Sequence, residues 1–187
     1  TDNPTAFGSA FRNNATQQES EAWITASILP GGADVHALYV RIRDGGLATI
    51  DAYQLIVATT AGSATWNIYK LTDAIINPLT SFTQAIVAGD GIGFRATDLG
   101  SLVMLRAYRR SAGTWSQVGT VNDSVSPFQF AGNLGVGITG NTARGDDFGG
   151  GLSVNTDNYL LEDGTGVLLM EQDDVSGLDG FTSMGLM

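Results

Sequence analysis

LYVRIRDGG at Leu38–Gly46, followed by DAYQLIVATTAGSATWNIYKL at Asp51–Leu71, reads as three β-strands with Gly-bearing breaks between them. The apolar residues are β-branched or aromatic and either alternate or run together briefly, with no 3.6-residue period. In His36–Arg43, the residues Ala37, Tyr39, Arg41 and Arg43 share one face. His36, Leu38, Val40 and Ile42 share the other, which is taken as buried. In Thr65–Leu71, Trp66, Ile68 and Lys70 alternate with Thr65, Asn67, Tyr69 and Leu71. Both faces carry something apolar, as expected for a strand in the middle of a two-layer stack.

The same pattern extends outward in both directions. Ala22–Leu29, His36–Arg43, Ala52–Thr59, Thr65–Leu71, Gly91–Ala96, Leu102–Tyr108, Thr114–Val121, Gly132–Ile138 and Ala143–Phe148 are predicted strands. They are separated by turn formers, among them Pro30-Gly31-Gly32, Asp44-Gly45-Gly46, Ala88-Gly89-Asp90-Gly91 and Ser111-Ala112-Gly113. Thr80–Val87 fits either a strand or a short helical turn. Regular short strands with Gly-rich turns make an all-β sandwich or barrel.

The 187 residues suit one domain with a short appendage, and 43% apolar content suffices for a core. Gly is abundant, at 25 residues. There is no Cys, which excludes disulfides, thiolate metal sites and a Cys nucleophile. His36 is the one histidine, so a relay or metal site needing two within the chain is excluded. The net charge of −10 argues against binding a nucleic-acid backbone. No apolar run approaches the ~20 residues of a membrane helix, so no membrane insertion is expected. Thr1-Asp2-Asn3-Pro4 opens without a basic or an apolar leader region.

Charge divides the chain. Residues 157–187 hold seven acidic groups and no basic one, whereas residues 1–156 hold nine basic and twelve acidic groups. The break predicts a near-neutral body, 1–156, and an acidic appendage, 157–187.

The order of the strands and loops resembles the concanavalin A-like lectin and glucanase superfamily, with its laminin-G-like members. Four stretches carry the resemblance: LYVRIRDGG, the Asp51–Leu71 hairpin, IVAGDGIGFRATDLGSLVMLRAYRRSAGTWSQVGTV at Ile86–Val121, and NLGVGITGNTARGDDFGGG at Asn133–Gly151. It covers roughly Phe7 to Gly151. It implies a two-sheet antiparallel jelly-roll sandwich, a fold that hosts lectins, hydrolases and spacer modules alike. In the appendage, YLLEDGTGVLLMEQ (Tyr159–Gln172) reads as a hairpin around Asp163-Gly164. It resembles the Leu-Leu-Glu-Asp-Gly repeats of structural proteins of tailed bacteriophages.

Candidate chemistry is sparse. A retaining glycosidase needs two carboxylates about 5 Å apart, and the laminarinase-type members of the superfamily place theirs on one strand. The nearest approach here is Glu19-Ser-Glu21, so no catalytic residues are assigned. His36, on an apolar face and with no Gly-x-Ser-x-Gly elbow in the chain, reads as a hydrogen-bonded core residue rather than as part of a triad. No cofactor is expected beyond calcium, for which Asn141, Asp146 and Asp147 are candidate ligands. The alternative has Asp146-Asp147 capping a turn and pairing with Arg144.

Sugar binding commonly uses an exposed aromatic beside polar groups. Trp115 with Arg109 and Arg110 is the predicted ligand-binding set, chosen from Trp23, Trp66, Trp115, Tyr39, Tyr69 and Tyr108. Arg106, Arg109 and Arg110 suit a solvated strand end, the acidic tail, an anionic glycan or a neighbouring subunit.

Leu160, Leu161, Leu168, Leu169, Met170 and Phe181 are candidate assembly contacts, because a two-stranded hairpin cannot bury them alone. The combined expectation is a non-enzymatic structural protein of a phage-like virion, a head decoration, spike or tail component that displays a lectin-like domain. Its partners would be other virion proteins, copies of itself and a host-surface glycan. The alternatives are a carbohydrate-binding module of a secreted or cell-surface bacterial protein and, third, a glycoside hydrolase.

Overall fold

A computed structural model describes residues 19–31, 34–43, 49–60, 63–139 and 143–151, with Thr60 as backbone only, and the backbone of 160–161 and 168–169. The chain divides into two units, Thr1–Ser153 and Val154–Met187.

The first unit holds ten strands: β1 (Glu19–Ile28), β2 (Val35–Arg43), β3 (Asp51–Thr60), β4 (Ser63–Thr72), β5 (Ile75–Thr83), β6 (Gly91–Asp98), β7 (Val103–Ser111), β8 (Thr114–Asp123), β9 (Asn133–Thr139) and β10 (Arg144–Gly151). They form two five-stranded antiparallel sheets. The first sheet has the order β10-β1-β6-β7-β8 and the second β5-β4-β3-β2-β9. The meander β2 to β5 stays in one sheet and β6 to β8 in the other, while the remaining connections cross between them. This is the expected all-β jelly-roll sandwich. In the second unit, β11 (Leu160–Leu161) and β12 (Leu168–Leu169) pair antiparallel, Leu160 opposite Leu169. The side chains of these leucines, together with Met170, Phe181 and the arm after Ser176, lie outside the described residues.

Period-two alternation supplies the core. Ala22, Ile24 and Ala26 of β1, Phe94 and Ala96 of β6, and Leu105 and Ala107 of β7 face Leu38, Val40, Leu55, Val57, Trp66 and Ile68 from the other sheet. Trp66 stacks on Phe82 with ring centroids 6.0 Å apart. Each large side chain so buried contributes roughly 1.5–3 kcal/mol before entropy is counted.

Two expectations need correcting. Thr80–Val87 is not an element of its own, because β5 begins at Ile75. The β4–β5 turn is Asp73-Ala74, with φ of 51° and 61°, the paired left-handed conformation that matches hairpin twist. It contains no Gly, so turn chemistry did not mark it. Pro78 is tolerated because β5 is an edge strand.

The second correction concerns β2. A bulge between Val40 and Arg43, with Arg41 at φ 55°, breaks the alternation. Arg41 turns inward and is 1% exposed, and Ile42 joins Ala37 and Tyr39 in a cluster on the outer face.

His36 is buried on the inward face of β2, its Nε2 2.9 Å from the Arg144 carbonyl oxygen. A carbonyl only accepts, so Nε2 carries the proton of the neutral ring. Burial pushes the imidazole pKa below its usual 6.5, and the carbonyl contact only partly opposes this. The unfolded chain therefore binds this proton more readily than the folded one. The resulting stability is present above about pH 6.5 and is lost as pH falls. Denaturant titrations should show stability dropping from about pH 7 to about pH 5, by at most about 1.4 kcal/mol per pH unit from this group. His36→Gln should flatten that slope, and an unchanged slope would assign it to other groups.

Candidate functional site

Register places side chains in rows across the face of the first sheet that is turned away from the second. One row runs Asp146, Thr25, Gly91, Arg110, Trp115 across β10, β1, β6, β7 and β8. The next runs Gly149, Trp23, Gly93, Tyr108, Gln117, and a third runs Gly151, Glu21, Arg95, Arg106, Thr120.

The glycines form the floor of this face. A Cβ on Gly93 would lie 2.9 Å from Trp115 Cζ3, and one on Gly91 would lie 3.0 Å from Trp115 Cη2. A Cβ on Gly149 would lie 2.2 Å from Trp23 Cζ2. Both indoles thus lie against bare backbone, a contact that only Gly allows. Trp23, Tyr108 and Trp115 are each partly buried around this floor, and Gln117 and Thr120 of β8 are exposed. The Arg110 guanidinium sits over the Trp115 ring, 5.7 Å from its centroid, and its Nη2 donates to Thr25 Oγ1 at 2.9 Å. The arrangement can stack a flat apolar face on the aromatic rings and offer cationic donors at its edge.

Of the three predicted ligand-binding residues, Trp115 and Arg110 come together and Arg109 does not. Arg109 points the other way, its Nε donating to Asp90 Oδ2 at 2.7 Å. Neighbours in a strand must face oppositely, so the adjacency of Arg109 and Arg110 already required this. The floor of Gly91 and Gly93 was not recognised, although a Gly-x-Gly inside a strand is the available signal for a close approach.

The other candidates are dispersed. Asp147 sits at φ 51° where the β1–β10 register shifts, and its backbone N donates to Asp146 Oδ1 at 2.9 Å. Thr25 Oγ1 donates to Asp147 Oδ2 at 3.5 Å. Arg144 Nη1 donates to the Ala143 carbonyl at 2.8 Å. Asn141 lies outside the described residues, and among those described no group of three or more His, Asp or Glu side chains gathers as a metal site. Glu19 and Glu21 share the outward face of β1. Glu19 accepts from Arg95 Nη2 at 2.5 Å, and Glu21 is 2% exposed.

No family model and no curated protein matches the chain. Among solved structures, it is similar to the carbohydrate-binding module CBM66 from Bacillus subtilis, at 20% identity and a TM-score of 0.47, over 78% of this chain and 76% of that one. It is similar to a xylan β-1,4-xylosidase from Bacillus halodurans C-125, at 15% identity and a TM-score of 0.46, over 72% of this chain and 26% of that one. Sheep galectin-11 is similar at 12% identity and a TM-score of 0.40, over 78% of this chain and 99% of that one.

Proposed function

We propose that this chain is a non-catalytic glycan-binding β-sandwich domain whose ligand stacks on the outward face of β6, β7 and β8. The observation that carries the reading is the Trp115 indole held against Gly91 and Gly93, beside Trp23 and Tyr108 and capped by Arg110. Sugar rings present apolar C–H faces that stack on aromatics, and hydroxyls that take hydrogen bonds at the rim. Core packing alone would bury these rings between the sheets, as it does Trp66. A role as a carbohydrate-binding module needs nothing more than this face. Display on a phage-like particle is suggested by the Leu-Leu-Glu-Asp-Gly motif alone, and glycan binding is independent of it.

Affinity electrophoresis of the full chain through gels containing neutral or acidic polysaccharides tests the reading. Trp115→Ala should weaken retardation about tenfold, the scale of one stacked ring. Its circular dichroism should be unchanged. Retardation identical to that of the parent protein would remove Trp115 from the site. No polysaccharide that binds should release reducing sugar.

A further inference from the structure

Resting on the glycan reading, we infer that the ligand is anionic: a polysaccharide bearing carboxylates or sulfates, gripped by Arg106 and Arg110 with Tyr108 between them. Most basic side chains of the described residues have a carboxylate partner. Arg41 pairs with Asp98, Arg43 with Asp51, Lys70 with Asp123, Arg95 with Glu19 and Arg109 with Asp90. Arg106 and Arg110 differ. The Nε of Arg106 meets Met104 Sδ at 3.1 Å, and Arg110 meets Thr25 and the Trp115 ring. Neither has an ion-pair partner among the described residues.

The placement is also electrostatically costly without an anion. Arg95 and Arg106 sit directly opposite each other on β6 and β7, a like-charged cross-strand pair. Glu19 pairs with Arg95. The carboxylates on this face are Glu19 and Glu21 of β1, about 10 Å across two strand spacings from β7, and Asp146 of β10, about 14 Å across three, and none of them pairs with Arg106 or Arg110. Asp147 reaches Arg110 only through the Thr25 hydroxyl. Beyond β7, β8 presents the neutral Trp115, Gln117 and Thr120. Arg106 and Arg110 are four residues apart in one strand, so their Cα atoms lie roughly 13 Å apart. That spacing suits two charged groups on one extended chain whose intervening sugar stacks on Tyr108, and a planar guanidinium fits a carboxylate or sulfate with two hydrogen bonds.

The test compares retardation of the full chain by polygalacturonate, by its methyl ester and by chondroitin sulfate. Polygalacturonate, chondroitin sulfate or both should bind at least about tenfold more tightly than the neutral ester. Binding should weaken steeply between about 0.1 M and about 1 M NaCl, as the screening length contracts from about 10 to about 3 Å. Arg106→Gln should cost about tenfold with unchanged circular dichroism, and Arg106→Lys should recover part of the loss. Polygalacturonate carries carboxylates only and chondroitin sulfate carries both groups, so retardation by polygalacturonate assigns the carboxylate, and chondroitin sulfate binding that desulfation abolishes assigns the sulfate. Equal binding of the ester, or an undiminished Arg106→Gln, would overturn the anionic ligand and leave the glycan site standing. No binding of any polymer would sink both. Self-association that Arg106→Gln abolishes, without polymer binding, would overturn the glycan ligand in favour of the acidic segment of another copy.

Discussion

Asp123→Ala is expected to cost the sandwich about 3–5 kcal/mol of folding stability, a large share of the roughly 5–15 kcal/mol that holds a domain together. Asp123 is 3% exposed at the inward end of β8. Its Oδ2 accepts from the Tyr53 hydroxyl at 2.7 Å and pairs with Lys70 Nζ at 2.8 Å, and its Oδ1 accepts from the Val125 backbone N at 3.1 Å. Burial and this carboxylate together raise the Tyr53 phenol pKa well above its usual value, so Tyr53 stays a donor. Lys70 also donates to the Val125 and Ser126 carbonyls, each at 2.7 Å, and Arg41 donates to the Phe128 carbonyl. These side chains of the second sheet hold the segment from β8 to β9, and hence the position of β9 beside β2.

Removing the carboxylate leaves a buried ammonium without its counter-charge and a buried hydroxyl without its acceptor, which is dearer than never having had the pair. Asp123→Asn should cost less, because its one amide oxygen can still accept from either Tyr53 or Val125, though not from both. The double variant Lys70→Met with Asp123→Leu should recover much of the loss, since both charges go together. Denaturant titration measures all three. A cost under about 1 kcal/mol for Asp123→Ala would mean that apolar packing alone holds the connection.

Elements built from local chemistry could be read in advance. The strands His36–Arg43 and Asp51–Leu71 were legible because β-branched and aromatic runs ended at turn-forming breaks. The Asp73-Ala74 turn was not, because Asp and Ala can take the left-handed conformation without a Gly to announce it. Arg41 was misassigned because one bulge residue inverts every facing beyond it, and nothing in VRIRD marks where the extra residue falls. The candidate site fared similarly. Trp115 and Arg110 were identifiable one by one. Their convergence on Gly91 and Gly93, with Trp23 brought in from β1, depends on pairing between distant strands, and register of that kind is a property of the folded sheet.

Gly93→Val is expected to weaken glycan binding about a hundredfold, roughly 2.8 kcal/mol, more than loss of any one ring. Gly93 lies between Trp23 and Tyr108 in its row and beneath Trp115. A Cβ there would stand 2.9 Å from Trp115 Cζ3, 3.3 Å from Trp115 Cη2 and 3.3 Å from Tyr108 Cβ. The tight contacts are with the far edge of an indole on the outer face, which can swing outward. The sheet keeps its register while all three aromatic surfaces are disturbed. A β-branched residue also favours the extended backbone more than Gly does, which offsets part of the crowding. The melting temperature should therefore shift by only a few degrees, about 1 kcal/mol or less. Trp115 fluorescence should move to the red as the ring enters water. Gly93→Ala should fall between parent and Val in binding. If Gly93→Val bound polysaccharide like the parent protein, the glycine floor would be a packing feature only, and the ligand would have to sit on a different surface of the sandwich.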